Sequence, residues 1–319
     1  MIVVPRGTHD VSSTMVRMVT ETPLLRSLVP PGVADLIVAT HLYGFSSPSP
    51  SPSSPQVTVT TYNVLAQPYE RELTRCTTPR FLRWDQRVDL ICSALQQTQS
   101  DVVLLNEVTS TMLHTILEQL SGLYTQAHYR NKHTDSDGSA ILFRPDRFRL
   151  LRVAEARLST QYAQIVVAAE LEHRGTGTSL TVASLHLKSG YADMEPVRLQ
   201  KFDSAMAFLQ KRGLTAGPLV LAGDLNSDLH AAYARLVSHA TETYKLFDAG
   251  TLQDPRLPTY QHWHPSVFDY ILTRGLRVRS YHVPPTTVGT VLPNAVHGSD
   301  HLPVTATLEI PFVQNTIWD

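Results

Sequence analysis

Gly223-Asp224-Leu225-Asn226-Ser227 closes an apolar run, Pro218 to Ala222, with a carboxylate and an amide two positions apart. An apolar run ended by Gly reads as a buried strand reaching its end. Side chains alternate along a strand, so Asp224 and Asn226 project to one side of a rigid edge. There a carboxylate can bind metal or activate water, and an amide can orient an oxygen without adding charge. Such a pair suits metal-assisted chemistry on a phosphate. Taken alone, the same residues also make a strand followed by an Asx turn.

Similar groups end or interrupt other apolar runs: Asn63, Glu107, His186, Asp269 and Asp300-His301. Glu107 and Asp300 are hard oxygen ligands and, with the amide oxygen of Asn63 and waters, would suit Mg2+ or Mn2+. His301 can act as a base or bind phosphoryl oxygens, with Asp269 holding its imidazole in one tautomer. Asp224 and Asn226 can orient or deprotonate the attacking water. His186 can donate to a phosphoryl oxygen as negative charge grows on it. Each group also has a plain structural role: Asn63 as a turn starter, Glu107 as a charge at a helix N-terminus, His186 as a core histidine, Asp269 on an edge strand, Asp300-His301 as a cap.

The elements that would carry these groups follow from patterning. Val57 to Tyr62 is β-branched and aromatic, a strand ending at Asn63. Leu82, Val88, Ile91 and Leu95 have helical spacing within 81–97. Asp101 to Leu105 is a buried strand before Asn106-Glu107, and Thr109 to Leu120 a second helix. Strands are expected at 139–143, 164–171, 180–185, 267–272, near Val278 and at 304–310. Helices are expected from Pro196 to Leu209 and from Ala231 to Val237. Mixed strands and helices over this length indicate an α/β layered sandwich, and no internal repeat is visible.

The chain has 319 residues, 42% of them hydrophobic, which is ample for a core. Its net charge of −1 gives no whole-molecule field toward nucleic acid. Cys76 and Cys92 have neither metal-ligand spacing nor a disulfide framework, which fits a reducing compartment. No run approaches about eighteen apolar residues, so no membrane span is expected. Arg6, Arg17 and Arg26 are interrupted by Asp10 and Glu21, so the start only partly resembles a transit peptide. An intracellular place, cytoplasmic or mitochondrial, is expected, and nothing in the sequence names a protein partner. Residues 1–45 form an extension of unassigned role, and Ser46 to Pro55 alternates Ser and Pro as an extended linker. A catalytic domain is expected over 56–319. Arg71, Arg75, Arg80, Arg83 and Arg87 form a solvated loop and helix face or line a groove for a nucleic-acid backbone, and Tyr260, His262, Trp263 and His264 belong to a loop anchored by one buried aromatic or stack on a base.

Thr60-Thr61-Tyr62-Asn63-Val64-Leu65-Ala66-Gln67, Leu105-Asn106-Glu107-Val108, Asp137-Gly138-Ser139-Ala140, Ser184-Leu185-His186-Leu187-Lys188, Gly223-Asp224-Leu225-Asn226-Ser227, Phe268-Asp269-Tyr270-Ile271 and Ser299-Asp300-His301-Leu302-Pro303-Val304 occur in this order. The ordered set resembles the endonuclease/exonuclease/phosphatase superfamily over roughly residues 56 to 312. Asn63 to Gln67, with Trp84 and Arg87, looks like its deadenylase, nocturnin and Angel-like branch. The resemblance implies a four-layer α/β sandwich, two packed mixed β-sheets flanked by helices, and Mg2+-dependent hydrolysis of phosphate esters. Carried over by position, Glu107 is the principal metal ligand with Asn63 and Asp300 nearby. Asp224 and Asn226 handle water and phosphate, Asp269 orients His301, His186 contacts the phosphate and Lys188 binds substrate phosphate. The implied substrate is RNA, attacked by a 3′-5′ exoribonuclease with deadenylase-like preference; the alternative is a phosphatase acting on a nucleotide or an RNA terminus. One departure is Asn106, where the family usually has Gln: the amide is a methylene shorter, could loosen Glu107, and is the support for a third reading as a non-catalytic scaffold.

Overall fold

The structure is a computed structural model and describes residues 55–310 apart from 76, 135, 160, 161, 263 and 288, together with position 33. The chain divides into two units, Met1–Ser53 and Ser54–Asp319. Apart from positions 33 and 55, the expected extension and Ser/Pro linker lie outside the described residues, as do residues 311–319.

In chain order the regular elements are β1 (Gln56–Asn63), α1 (Trp84–Thr98), β2 (Val102–Val108), α2 (Ser110–Gln119), β3 (Thr125–Asn131), β4 (Gly138–Phe143), β5 (Phe148–Arg157), β6 (Ile165–His173), β7 (Ser179–Leu185), α3 (Glu195–Lys211), β8 (Leu219–Asp224), α4 (Leu236–Tyr244), β9 (Phe247–Asp248), β10 (Tyr260–Gln261), β11 (Pro265–Ser266), β12 (Asp269–Arg274), β13 (Arg277–His282) and β14 (Val304–Glu309). One six-stranded sheet has the order β13-β14-β1-β2-β4-β3, the other β5-β6-β7-β8-β12-β9. In each, the central pair is parallel, β1 with β2 and β7 with β8, and its neighbours run antiparallel.

Alternation explains the layering. Val57, Val59, Val102 and Leu104 of the first sheet pack in one cluster with Val182, Val220, Ala222 and Ile271 of the second, which makes the boundary between the sheets. The opposite faces are covered by helices. Val88, Ile91, Cys92 and Leu95 of α1, at helical spacing, meet Tyr62, Val103 and Leu105; Phe202, Ala205, Met206 and Leu209 of α3 meet Ala183, Leu219 and Leu221. The result is the expected four-layer α/β sandwich of two mixed sheets with helices outside. Among the described residues no helix is long and apolar enough to cross a membrane.

Several elements depart from the patterning, and two of them show why. The helix expected over 231–237 runs instead over Leu236–Tyr244. Its N-terminus lacks a local side-chain cap; the Glu195 carboxylate on α3 accepts the N–H groups of Arg235 (2.8 Å) and Leu236 (3.1 Å), so the helix starts where a distant acid can satisfy it. Strand β3, not expected, is half-exposed along most of its length and has no alternating apolar signal.

Gly223 on β8 lies hard against the neighbouring strand β7 of its own sheet: its φ is +146° and an added Cβ would lie 1.9 Å from the Leu185 carbonyl oxygen. Gly223→Ala is expected to cost roughly 3 kcal/mol and lower the melting temperature by roughly 6–12 °C. A melting curve that superimposes on wild type would show that the backbone at this contact is free to move aside.

Candidate active site

The C-terminal ends of β1, β2, β7 and β8 meet at one edge of the sandwich, which is the logic of parallel strand pairs: their ends point the same way and carry the polar residues that follow the apolar run. They open onto a cavity of about 820 Å³ lined by Glu107, His186, Lys188, Asp224, Asn226, Asp300 and His301, among others. Asn63 and Asp269 stand behind this lining and touch it. All nine residues singled out in the sequence are therefore brought to one place.

Asn63 Nδ2 donates to Glu107 Oε1 and to Asp224 Oδ2, both at 3.0 Å, while its Oδ1 accepts from the Leu65 N–H at 3.0 Å. The amide thus presents its NH2 to the two carboxylates; the oxygen expected at a cation is turned toward the backbone. Glu107 sits at an irregularity in the β2–β4 pairing with φ +53°, and its Oε2 accepts from the Ala66 N–H at 3.2 Å. Leu65 and Asn226 also have positive φ, +56° and +52°. With Ala163, at φ +53°, four non-glycine residues lining one cavity are held in the left-handed region, the mark of a backbone bent to aim side chains.

Asp224 is almost fully buried, with His186 Nε2 at 3.6 Å and His301 Nε2 at 3.7 Å from its Oδ2. Burial pushes its carboxyl up to about 7, against the pull of His301 and with the push of Asp269. His301 Nδ1 lies 2.7 Å from Asp269 Oδ2. Burial alone would lower the His301 pKa; Asp269 and Asp224 outweigh it and hold it well above the ordinary histidine value. His186 behaves oppositely: burial, then Lys132 and His301, drive it well below that value. Lys132 Nζ is 3.1 Å from His186 Nδ1. An ammonium only donates, so the neutral ring carries its proton on Nε2, toward Asp224 and Glu107. Asn226 ties its N–H to Asp224 Oδ1 (3.0 Å) and its Nδ2 to the Leu187 carbonyl (3.1 Å). Among the described residues Lys188 Nζ donates to Ser189 Oγ, at 3.4 Å.

Lys132 escaped the sequence reading, and Asp137 was given no role there beyond its place in the Asp-Gly-Ser-Ala motif. They form an ion pair of 2.6 Å, and Tyr69 Oη donates to the other Asp137 oxygen at 3.0 Å. The available signal was a Lys placed just before an Asp-Gly turn that returns into a buried strand. On the far wall Tyr260 packs on His301 and Phe268, with ring centroids 5.0 and 5.3 Å away; Trp263, also expected near a base, lies outside the described residues. Of the arginines between 71 and 87, Arg87 is buried and Arg83 is paired with Asp85.

Beneath the cavity Asn106 is fully buried. Its Nδ2 donates to Ser139 Oγ (2.9 Å) and Ser184 Oγ (3.1 Å), and its Oδ1 accepts from the Asp224 N–H (3.0 Å). The shorter amide is fully bonded, and the loosening of Glu107 expected from it is not seen.

Glu107, His186 and Asp224 bring ligand-type atoms within 4.8 Å of one another, as do Asp224, Asp269 and His301; Asp300 belongs to neither set but lines the same cavity. Burial pushes the Glu107 carboxyl up, Lys132 pulls it back and Asp300 adds to the rise. Glu107, Asp224, Asp269 and Asp300 face His301 and a Lys132 already engaged by Asp137. That excess of hard oxygens fits a divalent cation, which Glu107 and Asp300 could hold.

The endonuclease/exonuclease/phosphatase family matches residues 60–301. The chain belongs to this family. It is 29% identical over 249 residues to Nocturnin of Xenopus laevis, covering 69% of this chain and 63% of that protein. It is 26% identical over 233 residues to human Nocturnin, covering 65% and 52%. The chain therefore spans less than two-thirds of the length of these relatives. Among solved structures, the human Nocturnin catalytic domain with bound sulfate aligns with TM-score 0.63 and 25% identity, covering 81% of this chain and 94% of that one. ANGEL2, a 2′,3′-cyclic phosphatase, in complex with adenosine-2′,3′-vanadate, shares the fold with TM-score 0.67 at 18% identity, covering 81% and 96%.

The raised Asp224 pKa has a measurable consequence. The folded protein keeps a proton there up to about pH 7, whereas an unfolded chain releases it near ~3.9. This group therefore stabilises the metal-free fold fully at low pH, and the contribution is lost as pH rises through about 7. Melting temperatures of EDTA-treated protein should fall from pH 5 to 8, and Asp224→Asn should flatten that slope. An identical slope in the variant would place the titrating group elsewhere.

Proposed function

We propose that the protein is a Mg2+-dependent phosphodiesterase that hydrolyses RNA from the 3′ end with deadenylase-like preference, Mn2+ serving in place of Mg2+. The observation that carries this reading is that Glu107, His186, Asp224 and His301 converge on a cavity whose wall continues into the Tyr260 and Phe268 rings. Rings beside a phosphate-handling centre suit a nucleoside attached to the reacting phosphorus.

Each side chain then has a part. A divalent cation held by Glu107 and Asp300 would polarise a phosphoryl oxygen and offset its charge. Neutral His186 donates from Nε2 to a phosphoryl oxygen, where its charge develops in the transition state. The His301 imidazolium, fixed by Asp269, is a second donor rather than the base. Asp224, with a pKa of about 7, is matched to accepting a proton from water near neutrality. Asn226 shapes the turn that fixes Asp224, and Lys188 waits at the rim for a phosphate.

A second reading, a phosphatase of nucleotides or RNA termini, is favoured by one feature: Lys132 and Lys188 both line the cavity, and two ammonium groups suit a doubly charged terminal phosphate. Oligo(A), RNA ending in a 2′,3′-cyclic phosphate, and NADP+ should be compared as substrates with Mg2+, with EDTA, and with Glu107→Ala. Release of AMP from oligo(A) as the fastest reaction supports the first reading, and faster phosphate-ester cleavage on either other substrate supports the second. EDTA or Glu107→Ala should reduce turnover by about 100-fold or more; full activity in Glu107→Ala sinks both.

A further inference from the structure

The two largest fully buried side chains are Arg87 and Arg198, 1% and 0% exposed. Burying a guanidinium is unfavourable unless its donors are all engaged, and the acceptors here are not random. Each arginine is the fourth residue of the helix that joins a parallel strand pair, Arg87 in α1 between β1 and β2 and Arg198 in α3 between β7 and β8.

Arg87 Nη1 donates to the carbonyls of Val64 (2.8 Å) and Gly298 (2.9 Å), Nη2 to Leu65 (2.8 Å) and to Glu70 Oε1 (2.8 Å), and Nε to Leu82 (3.0 Å). All five N–H donors of the fork are used. Val64 and Leu65 follow Asn63; Gly298 precedes Ser299-Asp300, and Ser299 Oγ donates to the Asn63 carbonyl at 2.7 Å. Arg87 therefore grips the segments that carry Asn63 and Asp300. Arg198 Nε donates to the Lys188 carbonyl (2.9 Å), Nη2 to Gly190 and Nη1 to Tyr191 (3.4 Å) and to Glu195 Oε2 (2.9 Å). The other Glu195 oxygen accepts from Ser227 Oγ at 2.8 Å. Arg198 therefore grips the segment that carries Lys188 and, through Glu195, the one that follows Asn226.

We propose that these arginines are positioning residues with divided duties: Arg87 sets the cation-holding side of the site and Arg198 sets the phosphate-binding rim. The division rests on the metal-dependent reading above only in naming the cation. It follows from the fork geometry. A planar guanidinium fixes several carbonyls at defined angles, and a lysine ammonium in its place keeps charge but not those angles. Neither arginine lines the cavity, so neither is assigned contact with substrate.

The full chain with Arg87→Lys or Arg198→Lys is titrated with Mn2+ by calorimetry and, separately, digested with trypsin while cleavage after Lys188 is followed. Arg87→Lys should weaken Mn2+ binding about tenfold and leave cleavage after Lys188 as slow as in wild type. Arg198→Lys should keep Mn2+ affinity within about twofold and speed that cleavage about tenfold, as local opening of the rim exposes the bond. Glu70→Gln and Glu195→Gln, which take the charge from one partner of each arginine and keep the guanidinium, should repeat the two patterns in weaker form if either lysine variant fails to fold. Equal effects of both arginines on both measurements, or no effect, would overturn the division and leave only shared support of the core. Failure of the wild type to bind Mn2+ would refute the metal reading, while the trypsin arm would still decide the role of Arg198.

Discussion

The two sheets face each other through apolar side chains, and apolar contact is non-directional: it favours burial without fixing how one sheet sits along the other. Asn106 supplies the direction. From β2 of the first sheet its amide holds Ser184 on β7 and the backbone N–H of Asp224 on β8, while also holding Ser139 within its own sheet. The next residue is Glu107. The separation of Glu107 from Asp224, on which any shared chemistry depends, is therefore held by two amides, Asn106 beneath and Asn63 bridging the two carboxylates. Those bonds are strong constraints because they are dry: a buried amide left unpaired costs about 1–3 kcal/mol. A short amide suffices because β8 comes close at Gly223, where an added Cβ would approach Asn106 Oδ1 to 2.9 Å.

Protonation follows from the same closeness. Two histidines share one cavity and take opposite states because their other neighbours differ. Burial, reinforced by Lys132 at Nδ1, keeps His186 neutral; Asp269 at Nδ1, with Asp224, overcomes burial and keeps His301 charged. Each ring thereby turns an N–H at Nε2 toward the Asp224 carboxylate. A site with two fixed donors, a carboxylate titrating near neutrality and further hard oxygens can keep acid, base and cation functions apart by position rather than by residue type.

Much of this was legible in the sequence for one physical reason. A buried strand is an unbroken apolar run, so the point where it reaches the site is the point where a polar residue ends it, as at Asn63, His186 and Asp224. What was not legible depends on partners distant in the chain. Lys132 follows β3, a half-exposed edge strand without apolar alternation. The start of α4 is fixed by Glu195 from another helix, so local propensity placed it too early. The direction of the Asn63 amide is decided by the Leu65 N–H and by two carboxylates that only the fold brings near. Asn106 looked like a weakness because the sequence shows its length but not the distance it has to span.

The absence of a visible repeat in the sequence conceals a repeat in the topology. In one half β5, β6 and β7 lead through α3 to β8, α4, β9 and back to β12; in the other β13, β14 and β1 lead through α1 to β2, α2, β3 and back to β4, with the chain ends falling between β14 and β1. The halves match bond for bond at the site: the Val64 N–H donates to the Asn106 carbonyl and the Leu187 N–H to the Asp224 carbonyl, both at 3.0 Å. This equivalence pairs Asn63 with His186 and Asn106 with Asp224. Two like scaffolds have thus been given unlike side chains at matching positions. The amide at one of them is bonded into the boundary between the halves, and the carboxylate at the other stands at the cavity floor, where Asn63 donates to it and His186 faces it. Two carboxylates at both places would repel across a dry gap; two amides would provide no base. The asymmetry is what allows the halves to come close and the site between them to be reactive.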